Sequence, residues 1–128
     1  MVPKFRAWDK RENTMRDVAV LHFTTGGKVN YIEYWKTPSE LKSYHARNVI
    51  LMQSTGLKDK NGVEIFEGDV IFYAYFETNA NNRLIKFVNG QFIAELIRNG
   101  YHKSLINVID DAEIIGNICE HPELLEVK

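Results

Sequence analysis

The stretch that decides the class of fold is LIKFVNGQFIAELI, residues 84–97. Asn89-Gly90 lies between two runs of alternating apolar and polar residues, a pattern typical of a two-residue type I′ hairpin. This turn pairs Phe87 with Phe92 and puts both rings on one apolar face, which we expect to be core. The sequence therefore predicts antiparallel β structure.

Turn signals of the same kind recur along the chain. Gly26-Gly27, Asn61-Gly62 and Asn99-Gly100 supply residues that tolerate the positive φ of tight turns. The apolar runs between the turns predict further strands, at 4–9, 18–23, 29–34, 49–53, 69–76, 104–109 and 113–118.

Helix signals are few. Thr37-Pro38-Ser39-Glu40 offers a hydroxyl at an N-cap, a proline at the first helical position and a glutamate three residues after the cap. We therefore predict a helix of about two turns over residues 38–46. A shorter helical turn is predicted after His121, with Pro122 at its first position.

Composition and length predict a single domain over residues 1–128. The chain is 45% hydrophobic and 26% charged, which is typical of a globular protein. Cys119 is the only cysteine, so no intramolecular disulfide can form and a reducing cytoplasm fits. No apolar run is long enough to span a bilayer and no signal-type core follows Met1, so we expect neither membrane insertion nor export.

Charge is distributed unevenly along the chain, although the net charge is only −1. Residues 1–64 carry 11 basic and 7 acidic residues, whereas residues 65–128 carry 5 basic and 10 acidic residues. These opposite charges either pair the two halves within one fold or bring the basic part of one copy to the acidic part of another. We favour the internal pairing.

Two strands present candidate interaction surfaces. Residues 69–76 are apolar on both faces, and we expect the face with Ile71, Tyr73 and Tyr75 to be covered by the same chain or by an oligomer interface. The first strand places its basic and aromatic residues on one face, namely Lys4, Arg6 and Trp8. Small barrels hold single-stranded nucleic acid with such residues. We favour a structural role for them, because the chain lacks the basic excess of dedicated nucleic-acid binders.

Residues able to carry catalysis or hold a metal are scattered. Asp110, Asp111 and Glu113 form the tightest acidic group, and paired acids hold metal ions in nucleases. Neighbouring residues on a strand point to opposite sides, so we favour a solvated turn before the last strand. Cys119 and His121 form one C-x-H pair without a second pair at zinc spacing. With no P-loop, nucleophile elbow or deaminase signature, we expect no enzyme and no cofactor.

Three segments of the chain carry a family resemblance. They are KFRAWDK at 4–10, QSTGLKDKNGVEIFEGDV at 53–70, and IIGNI at 114–118 followed by PELL at 122–125. In order and spacing they resemble the YopX-like proteins of phages and prophages, over essentially the whole chain. The resemblance implies a mainly β fold with a small antiparallel SH3-like barrel, additional hairpins and one or two short helices. It transfers no catalytic residues.

The middle segment is interpreted as structural. Asn61-Gly62 reverses a polar hairpin, and Glu67-Gly68-Asp69 turns into the buried strand that follows. Its acids, including Asp59, match no known spacing of metal ligands.

The residues and the resemblance together favour a non-enzymatic accessory protein of a phage or prophage, acting in the bacterial cytoplasm. The doubly apolar strand and the opposite charges of the two halves favour protein–protein binding or self-assembly. The partner is then a second copy or a host or phage protein. A nucleic-acid-binding barrel is the second hypothesis, and a metal-dependent enzyme built on the 110–113 acids is the third.

Overall fold

A computed structural model describes residues 4–73 and 82–126, which form eleven β-strands and three short 3-10 turns. The predicted mainly β class is confirmed. The strands form antiparallel sheets, and the described residues contain no closed barrel. The chain divides into two compact units, Met1–Gln53 and Ser54–Lys128. A single domain over residues 1–128 stays a prediction.

The first unit is an antiparallel sheet of five strands. They are β1 (Phe5–Asp9), β2 (Thr14–Phe23), β3 (Val29–Thr37), β4 (Glu40–His45) and the first half of β5 (Val49–Lys58). The first four form a meander, and β5 returns beside β1, which gives the order β4-β3-β2-β1-β5. A 3-10 turn, Ala46–Asn48, joins β4 to β5. No described ladder joins β4 to β5, so the described residues do not form the small closed barrel that the family resemblance implies.

One face of this sheet forms the core of the first unit. Ala7, Ile32 and Val49 are buried there. Partly buried side chains surround them, namely Val18, Leu21, Val29, Tyr44 and Leu51. Because side chains alternate along a strand, Arg6 and Trp8 fall on the opposite face from Ala7, as predicted.

The second unit contains the remaining strands. They are β6 (Glu64–Phe66), β7 (Asp69–Tyr73), β8 (Asn82–Val88), β9 (Gln91–Leu96), β10 (His102–Ser104) and β11 (Ala112–Asn117). β6 pairs with the second half of β5, and the other five form a sheet in the order β10-β9-β8-β7-β11. The buried core residues of this unit are Ile65, Ile71, Ile85, Ala94, Leu105, Val108 and Ala112.

The predicted hairpin is present between β8 and β9. Asn89 and Gly90 have φ values of 52° and 82°, and Phe87 lies directly across from Phe92 with ring centroids 4.8 Å apart. The prediction that both rings are core is wrong for Phe87, which is 46% exposed. The pair lies near the hairpin tip, beyond the residues that β7 and β10 flank, so no neighbouring strand covers Phe87.

The helix predicted from Thr37 is wrong. β3 runs through Thr37, Pro38-Ser39 make a turn, and β4 follows directly. The Thr37 hydroxyl does accept a hydrogen bond from the Ser39 N–H, at 3.4 Å, but within a hairpin turn. A local capping signal is satisfied equally by such a turn, and the ladder between β4 and β3 decides the outcome.

Two further predictions fall near the end of the chain. The strand predicted at 104–109 is wrong, because Leu105–Asn107 form a 3-10 turn that buries Leu105 in the core. The helical turn predicted after His121 is confirmed as a 3-10 turn, Pro122–Leu125, with Pro122 at its start.

Asp59 closes the turn between β5 and β6 and ties it to β11. Its Oδ1 accepts hydrogen bonds from the N–H groups of Asn61 and Val63, both at 2.9 Å, and its Oδ2 accepts one from the Ile114 N–H at 3.0 Å. Burial raises the pKa of Asp59, but the three N–H donors outweigh it and hold the pKa below its ordinary value. These contacts of Asp59 agree with the structural interpretation of the middle segment, residues 53–70.

We predict that Asp59→Asn costs about 1 to 3 kcal/mol of unfolding free energy at neutral pH, because one of the two oxygens that accept these partly buried N–H groups becomes an NH2 donor. A depressed pKa in the folded state means that the carboxylate stabilises the protein above its unfolded pKa. This contribution is lost as the pH falls through the folded value, so the gap between wild type and variant should narrow in acid. Urea unfolding across pH measures both effects. Exposed Asp111→Asn is the control, and an equal loss in that variant would contradict the role of Asp59.

Gly116 supplies a second test of the fold. A Cβ at this position would lie 2.7 Å from His121 Nδ1 and 2.8 Å from Leu124 Cδ1. We predict that Gly116→Ala lowers stability by about 1 to 3 kcal/mol through overpacking. Gly26→Ala is the matched control, since its Cβ would meet nothing closer than 3.8 Å. Thermal unfolding of both variants compares them, and equal melting temperatures would refute the close packing of this turn on β11.

Candidate functional site

Of the three residues singled out near the start of the chain, Arg6 and Trp8 lie on one face of β1, and Lys4 directly precedes this strand. Lys4 is exposed, while Arg6 and Trp8 are half-buried. The Arg6 Nη2 lies 3.7 Å from the Met52 Sδ, and Asp17 is directly across from Arg6 on β2. The face therefore does not display an unbroken cationic stripe.

The same face of the sheet carries exposed apolar side chains. Four of them are Trp35, 46% exposed, Leu41 and Ile50, each 40% exposed, and Tyr31, 38% exposed. Register places Trp35 across from Leu41, and Ile50 across from the half-buried Trp8. We name this set, Trp8, Tyr31, Trp35, Leu41 and Ile50, the aromatic face. Exposed apolar residues concentrated on one sheet face are typical of interaction surfaces.

Charged residues of both signs border the aromatic face. His22 stacks on Tyr31, with centroids 4.1 Å apart, and its Nε2 lies 3.0 Å from Glu33 Oε2. Arg6 lies directly across from Asp17. The surface therefore combines large aromatic area with a polar rim of mixed charge, which is the composition of protein interfaces.

Strand β4 forms the edge of the sheet beside Trp35. Its exposed start carries Glu40, Leu41 and Lys42 in succession. Glu40 lies 4.0 Å from Lys36, and the Lys42 Nζ lies 5.5 Å from the centre of the Tyr44 ring. An edge strand presents backbone N–H and C=O groups to a further strand.

Sequence reasoning found Trp8 but missed the rest of the aromatic face. The predicted helix from Thr37 includes Leu41, and the strand predicted at 29–34 ends before Trp35. The signal was present in β3, where buried Ile32 and Tyr34 alternate with exposed Tyr31 and Trp35.

A polar cluster lies on the opposite, inner face. Asp9 is fully buried and accepts hydrogen bonds from the Arg11 and Glu12 N–H groups and from the Arg16 guanidinium. The Arg16 guanidinium lies 4.8 Å above the ring of Tyr34. Burial raises the pKa of Asp9, but these donors, the Glu12 N–H foremost, outweigh it and leave the pKa below its ordinary value. Asp9 thus closes the turn between β1 and β2, and its hydrogen bonds favour the ionised carboxylate.

The face of β7 that carries Ile71 and Tyr73 is covered within the second unit. Ile71 is fully buried in the core of that unit, with Tyr73 packed against the core. Cover by the same chain is one of the two alternatives expected for this face. Tyr75 lies outside the described residues. Self-assembly itself stays a prediction.

The residues considered for metal binding are apart or engaged. Asp110 and Asp111 are exposed in a turn, while Glu113 on β11 lies 3.8 Å from the Lys60 Nζ. His121 Nδ1 accepts the Asn117 N–H, and the Cys119 N–H donates to Asn117 Oδ1. Within residues 4–73 and 82–126, no three His, Cys, Asp or Glu side chains cluster in a way that fits a metal ion.

The same ranges hold no helix that is long and apolar enough to traverse a membrane.

The model of a family described as YopX protein matches residues 4–126. The crystal structure of protein EF1440 from Enterococcus faecalis is 35% identical, covers 98% of this chain and 99% of its own, and has a TM-score of 0.70. That of protein yopX from Bacillus subtilis, 21% identical, covers 98% of this chain and 97% of its own with a TM-score of 0.61, and it supports the fold alone. No curated protein matches significantly. The chain belongs to the YopX family.

Proposed function

We propose that this protein is a non-enzymatic binding domain that pairs with a second copy of itself through the edge of β4. The single observation that carries the proposal is the exposure of Trp35 and Leu41, which lie across from each other at this edge of the sheet. A Trp side chain beside such a ladder buries a large area on association at low entropic cost.

The use of the buried acids supports a non-enzymatic role. Asp9, Asp59 and Asp69 are the buried carboxylates of the described residues, and each accepts backbone N–H groups at a turn. A general base or a metal ligand needs a carboxylate that can exchange protons or give up a lone pair. These side chains instead hold loops in place.

Charge balance favours a protein partner over nucleic acid. A surface that binds nucleic acid neutralises phosphates with an excess of Lys and Arg. On the aromatic face Arg6 lies across from Asp17, and His22 pairs with Glu33. The nucleic-acid hypothesis built on Lys4, Arg6 and Trp8 stays a prediction.

The sequence of β4 favours a second copy as the partner. A two-fold antiparallel pairing of two β4 strands centred on Leu41 puts Glu40 of each copy opposite Lys42 of the other. Opposite charges directly across a ladder stabilise it, and a two-fold interface uses the same surface twice. Leu41 of both copies then meets at the centre, beside Trp35.

We extend the proposal to the biological setting that the family resemblance implies. The protein then serves as an accessory factor of a phage or prophage in the bacterial cytoplasm, and a chain with a single cysteine is compatible with that reducing compartment.

The first test concerns the apolar centre of the pairing. We predict that Leu41→Glu weakens self-association at least about tenfold, because two like charges then meet at the two-fold axis. Sedimentation over a range of concentrations measures the dimer. Ile106→Glu is the matched control, since Ile106 is 59% exposed on a 3-10 turn of the second unit. A wild-type chain that stays monomeric at high concentration would refute the second copy as partner.

The second test reverses charges. Lys42→Glu should weaken the dimer because two acidic residues then oppose each other across the ladder, and adding Glu40→Lys to the same chain should restore it. Sedimentation at low salt gives the largest difference, since screening reduces the effect. Equal association of the single and double variants would exclude this register. Circular dichroism of each variant checks that the fold is retained.

A further inference from the structure

Arg83 is an arginine within the core face of the second sheet. It lies on β8 directly across from Ile71 on β7 and from Leu96 on β9. Its side chain shares that face with the buried cluster of Ile85 and Ala94, and the residue is only 9% exposed. A buried guanidinium needs a counter-charge or a full set of acceptors to offset the loss of hydration.

The hydrogen bonds of Arg83 leave one edge of the guanidinium unused by the described residues. Nη1 donates to the Ala94 carbonyl oxygen at 2.9 Å. Nε is buried and has no hydrogen-bond partner there. Nε and Nη2 point along the same side of the planar group, away from Nη1. This is the side that binds two oxygens of one oxyanion in a parallel, two-pronged contact.

A second cation lies on the same part of the sheet. Lys103 on β10 is directly across from Ala94, whose carbonyl holds Arg83. The Lys103 Nζ lies 5.9 Å from the centre of the Tyr73 ring, and Tyr73 is the titratable neighbour that acts electrostatically on Arg83. Tyr73 therefore lies near both cations.

The acids around this face are engaged elsewhere. Asp69 accepts the Phe66 N–H, and on the other face Glu95 lies 2.7 Å from the Lys86 Nζ. No ion pair joins Arg83 to a carboxylate within residues 4–73 and 82–126. Burial lowers the pKa of Arg83, which is the expected effect of an uncompensated buried cation.

We propose that Arg83 and Lys103, beside Tyr73, form a binding site for the phosphate group of a small molecule. Two cations match a group that carries nearly two negative charges at neutral pH, as a phosphate monoester does, better than a singly charged carboxylate. The side of Arg83 formed by Nε and Nη2 takes two phosphate oxygens, and Lys103 takes the third as a point charge. This site is separate from the aromatic face and independent of self-association.

The test is a titration with inorganic phosphate at constant ionic strength, followed by the Nε–Hε resonance of Arg83 in nitrogen-15 NMR. We expect this resonance to shift saturably with phosphate. Arg83→Lys, which keeps the charge but loses the two-pronged edge, should weaken binding about tenfold or more. Lys103→Gln should weaken it by a smaller factor. The Lys86→Gln variant, on the opposite face, is the control and should bind as wild type does.

Three results would overturn the proposal. The first is an Arg83 resonance that does not respond to phosphate, and the second is equal affinity for acetate, which would remove the argument from two cations. The third concerns Glu77, which lies outside the described residues and six positions before Arg83 in the sequence. If phosphate binds only after Glu77→Gln, this chain supplies its own counter-charge to Arg83. If the wild type binds phosphate, a parallel titration with methyl phosphate shows whether the site prefers a phosphate monoester or free phosphate.

Discussion

The fold depends on short polar side chains that accept backbone N–H groups where the chain reverses. Asp9 does so at the end of β1, Asp59 after β5 and Asn117 at the end of β11, and all three lie in the segments that carry the family resemblance. Strand ladders satisfy backbone groups only along their length, so each corner needs another acceptor. These three residues of the segments that resemble the family thus stabilise turns. The surfaces available for binding lie between these turns.

The sequence predicts the elements whose signals are local and unopposed. Asn89-Gly90 can turn only in a conformation that pairs its flanks, so the hairpin and its register followed directly. Thr37-Pro38-Ser39-Glu40 carries a signal that a helix start and a hairpin turn both satisfy. Pairing of β4 with β3, which lies beyond any local window, decides between them.

The candidate sites likewise differ in whether local sequence signals or long-range strand pairing determine them. Trp8 could be assigned to a face by alternation alone, whereas Leu41 could not, because its strand was missed. Arg83 is harder still, since its place in the core depends on the pairing of β8 with β7 and β9. A shift of one residue in that register would have put the same side chain on the opposite face. Sequence patterns indicate which residues alternate, and long-range register determines what each face contacts.

The turn at Asn89-Gly90 is also prone to a slow chemical change, the deamidation of Asn89. In an Asn-Gly pair the backbone nitrogen of the glycine attacks the asparagine side chain with little hindrance, and the resulting ring opens largely to isoaspartate. This product adds a methylene to the main chain and a negative charge to the side chain. A two-residue loop that depends on φ values of 52° and 82° has no room for an extra backbone atom. Deamidation at this turn during ageing of the purified protein therefore changes the register between β8 and β9 without altering any side chain of the core.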